Sequence, residues 1–169
     1  MVTVTDFSCH SYRFFLYSSA QFSFSFSYSY GELELLDSFL LFEETLKDAY
    51  NRGPSCNVNP LRVQMRPTVV LVQQGSTGTA EGYWGHDETL ALIESQCLAL
   101  VVVPDDFKLS VLSYQEGFDT TGTLGFTVNE ASWSIQSTKL QGKLRWTFLW
   151  EWVESTSMWR IYSIQSESI

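Results

Sequence analysis

Positive charge is scarce in this chain. Ten Lys and Arg stand against nineteen Asp and Glu, a formal net charge of −9. The few bases form no stripe, so nucleic acid is not expected as a partner, because its binding would lack the main electrostatic term. An anionic membrane surface is disfavoured for the same reason. The acidity is read as serving solubility. Long apolar runs are missing too; none reaches the roughly 18 residues needed to span a bilayer. Cysteine is sparse. Cys9, Cys56 and Cys97 are odd in number, far apart and without metal-ligand spacing, so no metal and no cofactor is expected. They read as three free thiols in a reducing compartment, and the location as cytoplasmic. Cys97 falls on an apolar helix face, where a thiol acts as a small hydrophobe. Histidine is rarer still, with only His10 and His86.

Charge almost vanishes from residues 1–31, where Asp6 and Arg13 are alone among Phe, Tyr and Ser. The stretch ends in the alternating run Phe22 to Tyr30. Strict alternation suits a strand covering an apolar surface. Low complexity suits a tail. A Ser-rich, acid-poor composition suits a targeting segment, although no base precedes Arg13 and no clean apolar stretch follows. We favour a tail or loosely packed extension. Residues 32–169 are then one globular domain.

What remains is rich in periodicity. From Glu32 to Tyr50, Leu35, Leu36, Phe39, Phe42, Leu46 and Ala49 recur at helical spacing against an acidic face, which predicts an amphipathic helix stopped by Asn51-Arg-Gly-Pro54. Asn59-Pro60 predicts a short helical turn. Thr68 to Val72 and Thr79 to Trp84 predict a strand pair. Gly85-His-Asp-Glu88 predicts a second helix start, with His86 or Asp87 near the cap. Beyond Pro104 the period becomes two. Phe107, Leu109 and Val111 alternate, then Leu112 and Tyr114 follow in the opposite phase. Leu124, Phe126 and Val128 alternate, then Ala131, Trp133 and Ile135. Each phase slip predicts a β-bulge, and two of them a strongly bent sheet. Lys143 to Gln165 predicts a closing hairpin. In it Leu144, Trp146, Phe148, Trp150 and Trp152 alternate with Arg145, Thr147 and Glu151.

Helix, helical turn, strand pair, helix and four antiparallel strands resemble the nuclear-transport-factor-2-like superfamily, over about residues 32–166. That superfamily includes ketosteroid isomerase, SnoaL-like cyclases, scytalone dehydratase and the calmodulin-dependent kinase association domain. Three passages carry the resemblance: Asp48-Ala-Tyr-Asn-Arg-Gly53, Glu81-Gly-Tyr-Trp-Gly85 leading into His86-Asp-Glu-Thr-Leu90, and Arg145 to Trp150 followed by Trp159-Arg-Ile161. It implies an α+β fold in which a curved antiparallel sheet and helices on its concave side form a cone. Trp146, Phe148 and Trp150 would line that cone, with Tyr83 and Trp84 near its rim. It also implies a homodimer through the sheet, as in many relatives. The isomerase's catalytic positions are not retained. Its general-base Asp falls at Gln73 or Gln74, its first-helix Tyr near Leu46 and its oxyanion-hole Asp at Phe148. Where many SnoaL-like relatives carry His on the last strand, this chain has Ser163, Ile164 and Gln165.

The residues themselves offer two acid–base candidates. Glu81 suits proton transfer if it projects among the rings at the cone mouth; the plainer reading is a solvated strand residue. His86 at a helix start is either a catalytic imidazole or a capping residue. Gln73, Tyr114 and Gln165 are candidate polar handles beside Trp133, Trp146 and Trp150. Two functions follow. One is a SnoaL-like pocket for a small apolar, planar ligand, or an isomerase, cyclase or dehydratase without the usual Asp base. The other is a non-catalytic dimerisation module, favoured by Leu149 and Val153 on the outer face.

Overall fold

The computed structural model describes the backbone of residues 15–16 and 30–34 and the whole of residues 35–75, 78–101 and 103–169. The expected extension 1–31 lies outside the described residues, save a two-residue strand β1 (Phe15–Leu16) and the start of the first helix. The order is α1 (Tyr30–Asn51), helical turns Gly53–Ser55 and Asn59–Gln64, β2 (Met65–Gln74), β3 (Ala80–Trp84), α2 (Gly85–Leu100), β4 (Phe107–Phe118), β5 (Leu124–Ile135), β6 (Leu140–Val153) and β7 (Met158–Ser168). These form one seven-stranded sheet, β1-β4-β5-β6-β7-β2-β3. The fold is α+β, as expected, but the sheet is mixed, because β2 runs parallel to β7.

The apolar stripe of α1 makes it a core helix. Leu35, Phe39, Phe42, Leu46, Ala49 and Tyr50 are all buried. Gly53 stops the helix at φ +60°, and a Cβ there would stand 2.9 Å from the Pro104 nitrogen; only glycine fits both the turn and the close approach. The other side of the core is β6. Trp146, Phe148 and Trp150 face inward, and Phe148 is fully buried. Its ring lies 5.1 Å from Phe42, 6.0 Å from Phe39, 5.9 Å from Trp146 and 5.7 Å from Trp150. Tilted and edge-on pairs at this spacing add to the burial term.

The expected bulges are corrected in part. One occurs at Leu112 in β4, between Val111 and Ser113. The second is not in β5, which pairs with β6 without a break. It is between β6 and β7, where Leu149 pairs with Ser163 and Trp150 with Ile161, so that Tyr162 is the extra residue. In β5 the burial follows one phase. Gly125, Thr127, Asn129, Ala131 and Ile135 are buried, and Leu124, Phe126 and Val128 face outward. The wide rings of β6 next door take the interior volume beside Gly125, Thr127, Asn129 and Ala131, which are small; farther along, where β6 has Gly142, the same phase of β5 carries Trp133. Two outsized rings are accommodated by glycine directly across the ladder. Phe126 lies over Gly117 and Trp133 over Gly142, where a Cβ would meet each ring at 2.4 and 2.8 Å. A glycine in a strand is weak by itself, and a covering ring restores the missing contact.

The free-thiol reading is overturned for two cysteines. Cys56 and Cys97 are joined in a disulfide with Cα atoms 6.3 Å apart, and both are buried. The bond ties the turn after α1 to the last turn of α2. Spacing alone did not suggest the pair, because 41 residues separate them. Cys9 lies outside the described residues.

Two outcomes are expected in urea melts. Cys97→Ala lowers stability by about 4 kcal/mol on the loop-entropy estimate for a closure of this length. Phe148→Ala costs about 3–5 kcal/mol, the usual range for removing a buried aromatic ring.

Candidate functional site

The concave side of the sheet is filled at one end and hollow at the other. Trp150, Trp159, Phe118 and Leu35 pack the filled end. There Trp150 Nε1 donates to Thr127 Oγ1 at 3.1 Å, as does Asn129 Nδ2 at 3.2 Å. A buried hydroxyl thereby satisfies two donors that would otherwise be costly. At the other end α1, α2 and the sheet enclose a cavity of about 430 Å³. This is within the range of small-molecule sites. Its wall is largely apolar: Phe42, Leu46 and Tyr50 from α1, Ile93 and Leu100 from α2, and Trp133, Trp146 and Phe148 from the sheet.

Few polar groups interrupt the wall. Gln73 on β2 faces inward, and Gln96 Nε2 of α2 donates to its Oε1 at 3.2 Å. That bond orients the Gln73 amide and leaves its N–H groups and the Gln96 carbonyl for an occupant. The Tyr50 ring packs on Phe107 at 4.6 Å, and no hydrogen bond of its hydroxyl is found among the described residues. Burial raises the Tyr50 phenol from its ordinary 10.0 to about 12. No group of side chains suited to hold a metal ion is found among the described residues.

Of the residues singled out from sequence, Gln73, Trp133, Trp146 and Phe148 meet at this cavity. The others stand elsewhere. Trp150 is fully buried beyond Phe148, in the filled end. Tyr114 is buried against Phe39 and donates to Glu116 Oε2 at 2.5 Å; burial, then the Glu116 charge, push its pKa up. Gln165 is exposed and pairs with Thr147 on the outer face. Trp84 is 64% exposed. Its ring lies over Gly82, near the sheet edge. Glu81 is exposed on edge strand β3 and accepts the Tyr83 hydroxyl proton at 2.8 Å. That hydrogen bond raises the Tyr83 pKa. His86 is half-buried at the start of α2, with Nε2 3.0 Å from the Met65 carbonyl. That contact is a hydrogen bond when Nε2 carries the proton. Neither His86 nor Asp87 caps α2: Trp84 is the N-cap, and its N–H donates to Glu88 Oε2 at 2.9 Å. Asp87 instead pairs with Arg62 at 2.8 Å.

Tyr50 and Gln96 are the site residues that sequence reasoning passed over. Both had a signal. Tyr50 lies one turn beyond Leu46 on the buried stripe of α1. Gln96 is a polar residue three positions after Ile93 on the inner face of α2.

Alkaline titration checks the environment of the phenol. The folded state favours neutral Tyr50, so its contribution is complete below pH 10.0 and is lost as pH rises through about 12. Tyr50→Phe is expected to remove part of the stability loss in that window, read from urea midpoints against pH.

No protein-family model matches the sequence, and no curated protein matches it. Solved structures do. A protein of unknown function with a cystatin-like fold from Nostoc punctiforme superposes with a TM-score of 0.59 at 11% identity, over 82% of this chain and 90% of that one. A ketosteroid isomerase-like protein from Erwinia carotovora atroseptica gives 0.56 at 13% identity, over 84% and 98%. An NTF-2-like protein of unknown function from Pseudomonas aeruginosa gives 0.60 at 7% identity, over 80% and 98%. At these identities the likeness is one of fold.

Proposed function

We propose that this chain, whose fold is that of the nuclear-transport-factor-2-like proteins, is a SnoaL-like pocket protein that binds a small, largely apolar ligand. The observation that carries this is the cavity of about 430 Å³ between α1, α2 and the sheet, with aromatic walls and an oriented amide pair. The apolar wall supplies affinity by burial. Gln73, Gln96 and the Tyr50 hydroxyl supply orientation, through hydrogen bonds to a carbonyl or hydroxyl of the ligand. Glu81 and His86, the acid–base candidates, are not in the cavity wall. The geometry therefore favours binding over proton transfer. Turnover at this site, as an isomerase, cyclase or dehydratase, would draw on orientation and hydrogen bonding, not on a strong base.

The test is a thermal-shift screen against planar polyketide- and terpenoid-like compounds, because a ligand that binds only the folded state raises the melting temperature. Gln73→Leu and Tyr50→Phe should each weaken a hit about three- to tenfold, the worth of one neutral hydrogen bond. Leu144→Trp, which fills the mouth, should abolish binding. Glu81→Gln should leave it unchanged. Survival of binding in Leu144→Trp would place the ligand elsewhere and end this reading.

A second reading concerns the outer face, which favours a homodimer through the sheet. Phe126 pairs directly with Leu149 there. Leu149 neighbours Ser163, which neighbours Val70 and then Trp84. Leu112 and Leu124 on the same face are 39% and 40% exposed. Ion pairs flank this row, Arg145 with Glu130 at 2.7 Å and Glu167 at 3.5 Å on one side, and Arg66 with Glu151 at 3.1 Å on the other. An apolar centre with a polar rim is the anatomy of an interface. Sedimentation velocity should find a dimer that Leu149→Glu converts to monomer while ligand binding persists.

A further inference from the structure

The outer face has a second feature, at the far end of the strands from Phe126 and Leu149. Lys108 of β4 stands opposite Ser134 of β5, which stands opposite Gln141 of β6. In the parallel row, Ser110 stands opposite Ser132, and Ser132 opposite Lys143. These six residues share one face by register, and with Trp133, Gly142 and Ile169 they line a shallow hollow of about 520 Å³. Ile169 borders it, its N–H donating to the Lys143 carbonyl at 3.2 Å.

Three facts bear on what the hollow could hold. The chain is strongly acidic, yet among the described residues no Asp or Glu side chain lines it. No ion pair is found for Lys108 or Lys143 among the described residues, nor for Arg52, Lys139 or Arg160, whereas Lys47, Arg62, Arg66 and Arg145 are each paired. The hydroxyls of Ser110, Ser132 and Ser134 make no hydrogen bond found among the described residues, unlike Ser113, which accepts from the Glu130 N–H. The carboxylates nearest along the strands, Glu130 and Glu167, are both held by Arg145. With strands about 4.8 Å apart and residues about 3.4 Å apart along them, the two lysine Cα atoms lie roughly 12 Å from one another, across the serines. Both ammonium groups can then converge over the hydroxyls.

We infer that this hollow binds a tetrahedral oxyanion, the phosphate or sulfate group of a small molecule. Two mobile ammonium groups neutralise its charge with charge-assisted hydrogen bonds. The serine hydroxyls and the Gln141 amide donate to the remaining oxygens. The hollow is larger than a bare phosphate requires, so a monoester fits it better than the free ion. The hollow and the cavity share Lys143 and Trp133 in their walls, but the inference does not rest on the cavity being occupied.

The test is amide chemical-shift titration of the whole chain with glycerol phosphate, inorganic phosphate and sulfate, against sodium chloride at matched ionic strength. Saturable shifts confined to residues 108–110, 132–134 and 141–143 are expected with the oxyanions and not with chloride. Lys108→Gln and Lys143→Gln should each weaken binding about tenfold, the worth of one charge-assisted hydrogen bond. Lys47→Gln should leave it unchanged. Tighter binding of glycerol phosphate than of inorganic phosphate assigns the ester; equal binding assigns the free ion. Shifts that merely follow ionic strength would overturn the inference. So would undiminished phosphate binding in the folded Lys108→Gln/Lys143→Gln double variant.

Discussion

Everything on the concave side depends on how two α1 rings, Phe39 and Phe42, close around Phe148 of β6. A side chain with no exposed surface, touched by rings from a helix and from its own strand, fixes the height of the helix above the sheet. Close-packed interiors adjust poorly to volume change, so that height also sets the size of the space on either side. Towards Trp150 the layer is filled. Towards Leu144 the inward rings of β6 end, and the layer is hollow, walled by Trp133, Trp146 and Tyr50. The cavity follows from where the aromatic residues of β6 stop.

Much of this was legible because β6 has a clean contrast between faces. Arg145, Thr147 and Glu151 leave little doubt about which side of Trp146, Phe148 and Trp150 meets water. Strand β5 lacked that contrast. Leu124, Phe126 and Val128 look like a core set, yet they lie outward, and the interior takes Thr127 and Asn129. Alternation sorts faces only when one of them is polar, and here the outer face is apolar as well. The same ambiguity produced a bulge in the wrong strand. The disulfide was not legible because pairing depends on where α2 lies against the turn after α1, and spacing carries none of that.

The site was legible in part. An inward aromatic wall follows from strand period, which brought Trp146 and Phe148 to notice. Gln73 entered by its place relative to a family position. Polar residues on helices are harder, since one amide on an apolar face looks like a boundary residue until its partner is seen. The Gln96–Gln73 bond supplies that partner. Glu81 and His86 attracted attention as reactive side-chain types, but an edge strand and a helix start placed them with Tyr83 and the Met65 carbonyl. Chemistry available in a sequence is not chemistry assembled at a site.

The parallel pairing of β2 with β7 bears on how the chain reaches this structure. Leu71 adjoins Ile164, and Gln73 adjoins Ser166, so an early strand, paired locally with β3, finds its second neighbour only in the last strand of the domain. Such a contact carries a large loop-closure cost and slows folding. During synthesis α1, β2, β3 and α2 emerge before the surface that covers them exists, and their apolar faces wait in solvent until β7 has left the ribosome. That interval is when the chain is most open to aggregation. Chain acidity, which keeps the surface of the finished molecule wet, would then matter most before there is a folded surface at all.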